Sequence, residues 1–175
     1  LLREEHERYT QHVSNRRQRF HGTGAKCSFG IDPAAQPCND AGCALCSISA
    51  HGFRLARSGT GPNFGRASFN TSSGLRYGNG LYFSATSGKS HDYARNSERL
   101  RQGRRWRSMF LASVAAGRAH LVYEDSLDID RPPVGCDSVV GETRAKGGCL
   151  NYDELVVYLE SAALPQYLIV YSLPS

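Results

Sequence analysis

Tyr77-Gly78-Asn79-Gly80-Leu81-Tyr82-Phe83 divides this chain of 175 residues into two parts of different character. Two glycines and an asparagine make a turn, and Gly80-Leu81-Tyr82-Phe83 reads as a short strand. Upstream, residues 1–19 are rich in Arg, Glu and Gln with sparse apolar points, and the pattern predicts a helix to about Arg19. Ser47 to Leu55 predicts a second, short helix with Ile48 and Phe53 facing inward. Downstream, Ser87 to Arg107 starts as a helix and becomes arginine-rich. Met109–Val114 and Arg118–Tyr123 read as strands joined by a turn at Gly117. Pro132-Pro133-Val134-Gly135 reads as a rigid loop, and Glu154–Leu159 and Tyr167–Leu173 as the last two strands, with Pro165 in the turn between them. Helices before residue 80 and strands after it predict an α+β domain rather than an alternating α/β one.

The length suits one domain with a real core and is short for two, so residues 1–175 are read as a single domain. Hydrophobic residues at 40% and charged residues at 21% indicate a globular chain, and no apolar run approaches the roughly 18 to 20 residues of a membrane span. The polar first twenty residues do not read as a secretory signal, which favours an intracellular home, nuclear or cytoplasmic. The opening Leu1-Leu2-Arg3-Glu4-Glu5 falls in mid-pattern, as expected of a domain from a longer protein. A net charge of +5 and a pI near 9.0 suit polyanionic ligands such as dinucleotides or nucleic acid, or simply a solvated basic surface.

Two further stretches stand in order around the opening one: His21-Gly22-Thr23 before it and Asn151-Tyr152-Asp153-Glu154-Leu155-Val156-Val157-Tyr158 after it. Taken singly, each has an ordinary explanation. A histidine before a glycine is usually a turn residue, a strand tyrosine is usually core, and Glu154 could sit on the wet face of an alternating strand. Their joint occurrence, with further matching pieces at Met109-Phe110-Leu111 to Gly117, Pro133 to Gly141 and Pro165-Gln166-Tyr167-Leu168-Ile169, resembles the His-Tyr-Glu signature of the poly(ADP-ribose) polymerase family over residues 20 to 173.

The resemblance implies two antiparallel sheets around a cleft for NAD, which is consumed as an ADP-ribose donor. It implies that His21, Tyr82 and Glu154 are the catalytic set, His21 bonding a ribose hydroxyl and Glu154 the nicotinamide-ribose 2′-hydroxyl. Gly22 and Ser90 would hold the carboxamide, Tyr93 would stack on the ring, and Thr23 and Arg54 would also meet NAD. Breaking the glycosidic bond develops positive charge on the ribose, which a nearby carboxylate stabilises. Glutamate at this place permits growth of a chain without demanding it. The acceptor implied is a macromolecule: a protein, the enzyme itself included, or a nucleic-acid end. The competing reading with the same fold is a catalytically silent module that binds NAD or ADP-ribose.

Cys27, Cys38, Cys43 and Cys46 crowd into a segment rich in turn formers and poor in apolar residues. Cys43-Ala44-Leu45-Cys46 is a clean metal-ligand pair, and the four together predict a closed, structural zinc site that orders an insert at about 27–46. Two disulfides or free buried thiols are the alternatives, and His51 is a substitute ligand. Cys136 and Cys149 read as unpaired. The tankyrases carry zinc in this domain after the second motif, so this placement departs from theirs. Arg95, Arg99, Arg101, Arg104, Arg105 and Arg107 surround Trp106 and read either as a nucleic-acid or ADP-ribose-chain site or as a solvated face with a tucked tryptophan. Residues 57 to 75 are turn formers, and a loop of that length is commonly functional.

Overall fold

A computed structural model describes residues 1–59, 75–126 and 129–174. Most of the 57 to 75 loop therefore lies outside the described residues. Helix α1 (Leu2–His12) leads into β1 (Arg16–Gly22), then α2 (Ala44–His51), β2 (Leu81–Phe83) and α3 (Ser87–Tyr93). Six strands follow: β3 (Arg99–Arg101), β4 (Arg104–Ala115), β5 (Ala119–Val122), β6 (Ser138–Gly141), β7 (Glu154–Val157) and β8 (Ala163–Ser172). No helix among the described residues is long and apolar enough to cross a membrane.

The strands form two four-stranded sheets. The first is built on β4, which takes β1 and β3 along one side and β8 along the other. Its stretch from Met109 to Ala115 is almost wholly buried, because neighbours on both edges and layers on both faces cover it. The second sheet has the order β2-β7-β6-β5. Period two sends Leu155 and Val157 of β7 into the main core with Phe53, Phe83 and Phe110, and Val156 into a second core with Tyr77, Val139 and Tyr158. The sheets are stitched by one bridge: Phe20 N–H donates to the Ser84 carbonyl at 2.8 Å and Ser84 N–H returns to Phe20 at 3.1 Å. That bridge sets β1 beside β2.

The α+β class and the two sheets agree with expectation; several local readings do not. The first helix ends at His12, not Arg19, and Arg16–Arg19 belong to β1. Asn15 takes φ +61°, and the Ser14 and Asn15 carbonyls accept from Gly117 and Ala116 at 3.0 and 3.1 Å. A tertiary clamp thus turns the chain, and pairing with β4 makes a strand of residues whose charge hides its alternation. The second helix is shifted forward, starting at Ala44 with Cys43 as its cap.

Gly117 does not close a hairpin, because β4 and β5 lie in different sheets. Arg118 N–H donates to Asp137 Oδ2 at 2.8 Å and Ser138 Oγ to the Ala116 carbonyl at 2.6 Å, so the chain is captured by the start of β6. As a result β5 pairs with β6 in parallel, the one departure from all-antiparallel pairing among the described strands. Pro165 lies inside β8, at a register shift opposite Leu111 and Ala112. An outer strand with a bulge tolerates the missing N–H.

Candidate active site

The β1–β2 junction opens into a cleft of about 290 Å³. All eight residues expected to meet the donor line it: His21, Gly22, Thr23, Arg54, Tyr82, Ser90, Tyr93 and Glu154. They come from β1 and the turn after it, the segment after α2, β2, α3 and β7. Sequence separations of up to 133 positions are closed by two sheets meeting at one bridge.

His21 Nδ1 lies 2.9 Å from the Tyr82 carbonyl. A carbonyl can only accept, so Nδ1 carries the proton and Nε2 is left as the acceptor of the ring. Burial lowers the pKa of His21 below 6.5, against the Tyr82 bond that raises it, and the imidazole is neutral at pH 7. Its ring is fixed by Phe53 and Phe83, with centroids 5.0 and 5.6 Å away. The Tyr82 hydroxyl is engaged twice, donating to the Gly78 carbonyl at 2.7 Å and accepting from Tyr77 N–H at 2.9 Å. What Tyr82 offers the cleft is its ring, braced by the turn of the opening motif.

A Cβ on Gly22 would stand 1.9 Å from the Ser90 carbonyl oxygen, so α3 packs against β1 at a distance only glycine permits. Gly22 and Ser90, 68 positions apart in sequence, thereby share one spot of the wall. Tyr93 is partly exposed over the cleft, and burial raises its pKa. Arg54 is engaged: its Nη1 meets Glu160 Oε2 at 2.5 Å, and Glu160 Oε1 accepts from Leu55 N–H at 3.0 Å.

Glu154 opens β7 and is 6% exposed. Oε1 pairs with the Lys89 ammonium. Oε2 is buried and has no hydrogen-bond partner among the described residues. Burial of Lys89 pushes its pKa down, and Glu154 opposes that shift. A carboxylate with one oxygen neutralised by a lysine and the other buried and unpartnered is suited to accept a hydroxyl hydrogen bond from a bound ligand. The adjoining Asp153 accepts from Ser84 Oγ at 3.0 Å and Ala85 N–H at 3.1 Å, which fixes the entry into β7.

Sequence reasoning assigned nothing to Lys89 or Glu160. Lys89 directly precedes Ser90 in sequence, but its role as counter-charge follows only from the burial of Glu154. Glu160 carries no sequence signal; only the fold brings it to Arg54.

The four cysteines form one cluster with all sulfurs within 4.8 Å of one another. Cys27 Sγ is 3.4 Å from Cys46 Sγ and 3.9 Å from Cys43 Sγ, and Cys38 Sγ is 3.8 Å from Cys46 Sγ. Metal–sulfur bonds of about 2.3 Å put tetrahedral sulfurs about 3.8 Å apart, so the donor set fits one zinc-sized ion. These separations exceed a disulfide bond of about 2.05 Å. Main-chain N–H groups donate to the sulfurs, Lys26 to Cys43 at 3.2 Å and Cys38 to Cys46 at 3.3 Å. Burial raises the Cys43 thiol, but the Lys26 and Cys46 N–H groups and neighbouring thiols outweigh it and bring it to about 7. His51 lies at the far end of α2, outside the cluster.

The arginine run divides between structure and surface. Arg99 Nη2 bonds the Ala25 carbonyl at 2.6 Å, Arg107 pairs with Glu98 at 2.7 Å, and Trp106 donates to the Arg101 carbonyl at 3.3 Å. Arg104 and Arg105 are exposed near the β3–β4 turn.

The model of the poly(ADP-ribose) polymerase catalytic domain matches residues 44–147, more than half of the chain. The chain therefore belongs to the poly(ADP-ribose) polymerase catalytic-domain family, a family of ADP-ribosyltransferases. The match contains Arg54, Tyr82, Ser90 and Tyr93; His21 precedes it and Glu154 follows it. No curated protein matches the chain.

Proposed function

We propose that this domain transfers ADP-ribose from NAD to a macromolecular acceptor and releases nicotinamide. The observation that carries the reading is the convergence of the eight expected residues on one cleft that holds a buried, lysine-paired carboxylate. The Gly22 and Ser90 backbones offer hydrogen-bonding groups to the carboxamide, and Tyr82 and Tyr93 offer ring faces to the flat nicotinamide. His21 Nε2 accepts from a ribose hydroxyl, and Glu154 Oε2 from the nicotinamide-ribose 2′-hydroxyl. The bond from ribose C1′ to the nicotinamide nitrogen breaks, and its electron pair leaves with nicotinamide. Positive charge grows on the ribose opposite Glu154. The acceptor atom then gives an electron pair to C1′ and loses its proton.

In this reading zinc occupies the four-thiolate cluster, which has no open coordination position and is structural. Four reduced thiols suit a cell interior, nucleus or cytoplasm. Protein, the enzyme itself included, is the acceptor class. With part of the arginine run committed to packing, the exposed Arg104 and the exposed Arg95 and Arg105, which pair with Asp92 and Glu98, are the candidates for a nucleic-acid contact. Glutamate at 154 allows the product to be extended into poly(ADP-ribose).

The test is incubation with adenine-labelled NAD, with protein and nucleic-acid acceptors, alongside Glu154→Gln. Label joined to a macromolecule and lost in the variant supports transfer, and a ladder of products supports polymerisation. Donor binding with neither label transfer nor nicotinamide release would mean a silent binding module.

A further inference from the structure

The cysteine cluster and the donor cleft share a wall. Cys43 caps α2 and Cys46 sits in its first turn, while Gly42, Ala44, Ser47 and Ile48, which alternate with these ligands, line the cleft. Cys27 stands three residues after Gly24, which with Thr23 also lines the cleft. Leu45 N–H donates to the Gly24 carbonyl at 3.1 Å, and Lys26 N–H to the Cys43 sulfur, so the cluster clasps the exit of β1 to the start of α2. The other end of α2 runs through Gly52 into Phe53 and Arg54. Phe53 packs edge-on against His21, and Arg54 lines the cleft. An eight-residue helix thus joins the thiol cluster at one end to the His21 wall at the other.

No regular element holds this segment among the described residues. Between Lys26 and Ala44 the described chain contains no strand or helix; it is held by Phe29 against the main core, by buried Ile31, by the close approach of Gly30 to Leu168 and by the cysteines, of which Cys43 and Cys46 belong to that core. A bound ion would tie the four sulfurs to one centre and add to the main-chain bonds and core packing that already hold them.

From this shared wall we infer that one zinc ion at Cys27, Cys38, Cys43 and Cys46 sets the shape of the donor cleft, so that zinc occupancy and NAD binding are thermodynamically coupled. The inference rests on the donor-site reading above. Coupling is reciprocal: whatever factor zinc adds to donor affinity, the donor adds to zinc affinity.

The probe is carba-NAD, in which a methylene replaces the nicotinamide-ribose ring oxygen and blocks cleavage. Zinc per chain is measured first, then carba-NAD affinity by calorimetry on the zinc-loaded protein and on protein stripped by a chelator under reducing conditions, with circular dichroism to follow the strands. The expected result is one zinc per chain and at least tenfold weaker carba-NAD binding after stripping. In the converse arm, a chromophoric chelator competes for zinc with and without saturating carba-NAD, and the donor analogue should raise zinc affinity by the same factor. This arm uses folded, loaded protein, so it decides the matter even where the stripped chain loses its fold. Equal carba-NAD affinity in both forms, or zinc affinity indifferent to carba-NAD, overturns the coupling alone. A zinc-loaded protein that does not bind carba-NAD overturns the donor-site reading, and the coupling with it.

Discussion

On one side of the cleft, His21, Tyr82 and Glu154 stand on strands whose partners are specified residue by residue, backed by Phe53, Phe83, Phe110 and Leu155. On the other, Gly42, Ala44, Ser47 and Ile48 stand on a segment without strand partners, held by four sulfurs, a few main-chain hydrogen bonds, one short helix and the burial of Cys43, Leu45 and Cys46 in the main core. The strand wall carries the polar chemistry and is stabilised by burial and ladder pairing. The cysteine wall contributes shape. Apolar area and hydrogen-bonded ladders can place an imidazole and a carboxylate accurately. The cysteine wall shares the main core through Cys43, Leu45 and Cys46 but has no ladder, and a closed metal site at its four sulfurs would supply what pairing does not.

The sharpest way to break the comparison is at the strand wall. If the proposed transfer holds, Glu154→Gln keeps the shape and removes the charge opposite the developing cation, so nicotinamide release should fall by ~100-fold or more. Donor binding by calorimetry should persist. A variant that keeps its rate would remove Glu154 from the chemistry. At the cysteine wall the order reverses. Cys46→Ala should abolish bound zinc and lower stability by at least ~3 kcal/mol, about 10 °C in Tm, with all strand-wall side chains intact. Metal analysis and calorimetric melting check it, and an unchanged Tm would mean that this segment is held by other contacts.

A smaller effect comes from the seam between β1 and α3. Gly22→Ala drives a methyl into the Ser90 carbonyl and should cost about 1–3 kcal/mol of stability and roughly tenfold in donor affinity. Gly103 is the control. It sits in the Arg101-Gln102-Gly103-Arg104 turn at φ +72° with nothing within 4 Å of a Cβ, so Gly103→Ala should cost only the ~1 kcal/mol of left-handed backbone and leave donor affinity alone. Similar donor affinities in the two variants would show that the seam does not shape the site.

The smallest effect is a slope with pH. His6 on α1 is 1% exposed, with Nδ1 2.9 Å from the Ser161 carbonyl and Nε2 3.0 Å from Ser113 Oγ. Burial, the dominant cause, lowers its pKa below 6.5. The unfolded chain takes up a proton that the folded chain resists, so stability is full above about pH 6.5 and is lost as pH falls through the folded pKa. Burial of His21 acts in the same sense. Tm measured from pH 8 down to 5 should decline below 6.5, and less steeply in His6→Asn. A flat profile would mean that both imidazoles protonate freely in the folded state.

Much of the site was legible in the sequence because its residues are chemically specialised. A glycine that lets two backbones touch, a histidine beside it, a glutamate opening an apolar strand and cysteines at ligand spacing leave marks that survive without coordinates. Lys89 was equally visible but unassigned, because its role exists only once Glu154 is buried beside it. Glu160 was invisible, since an acid on the loop after β7 looks like any surface residue until Arg54 is brought to it.

By itself the sequence determined the α+β class and the crowding of the four thiols, because these depend on side-chain chemistry and on periods of two and 3.6, while the cleft residues were named by the resemblance to a family. Tertiary structure decided where the chain changes direction and what each charge meets. Arg16–Arg19 became strand because β4 pairs with them, Gly117 opened a crossing between sheets because Asp137 and Ser138 capture it, and Pro165 stayed in β8 because a bulge on an outer strand absorbs it. The shared wall between the cysteines and the donor cleft is of the same kind. It depends on the packing of α2 against the exit of β1, a non-local contact that no window of sequence contains.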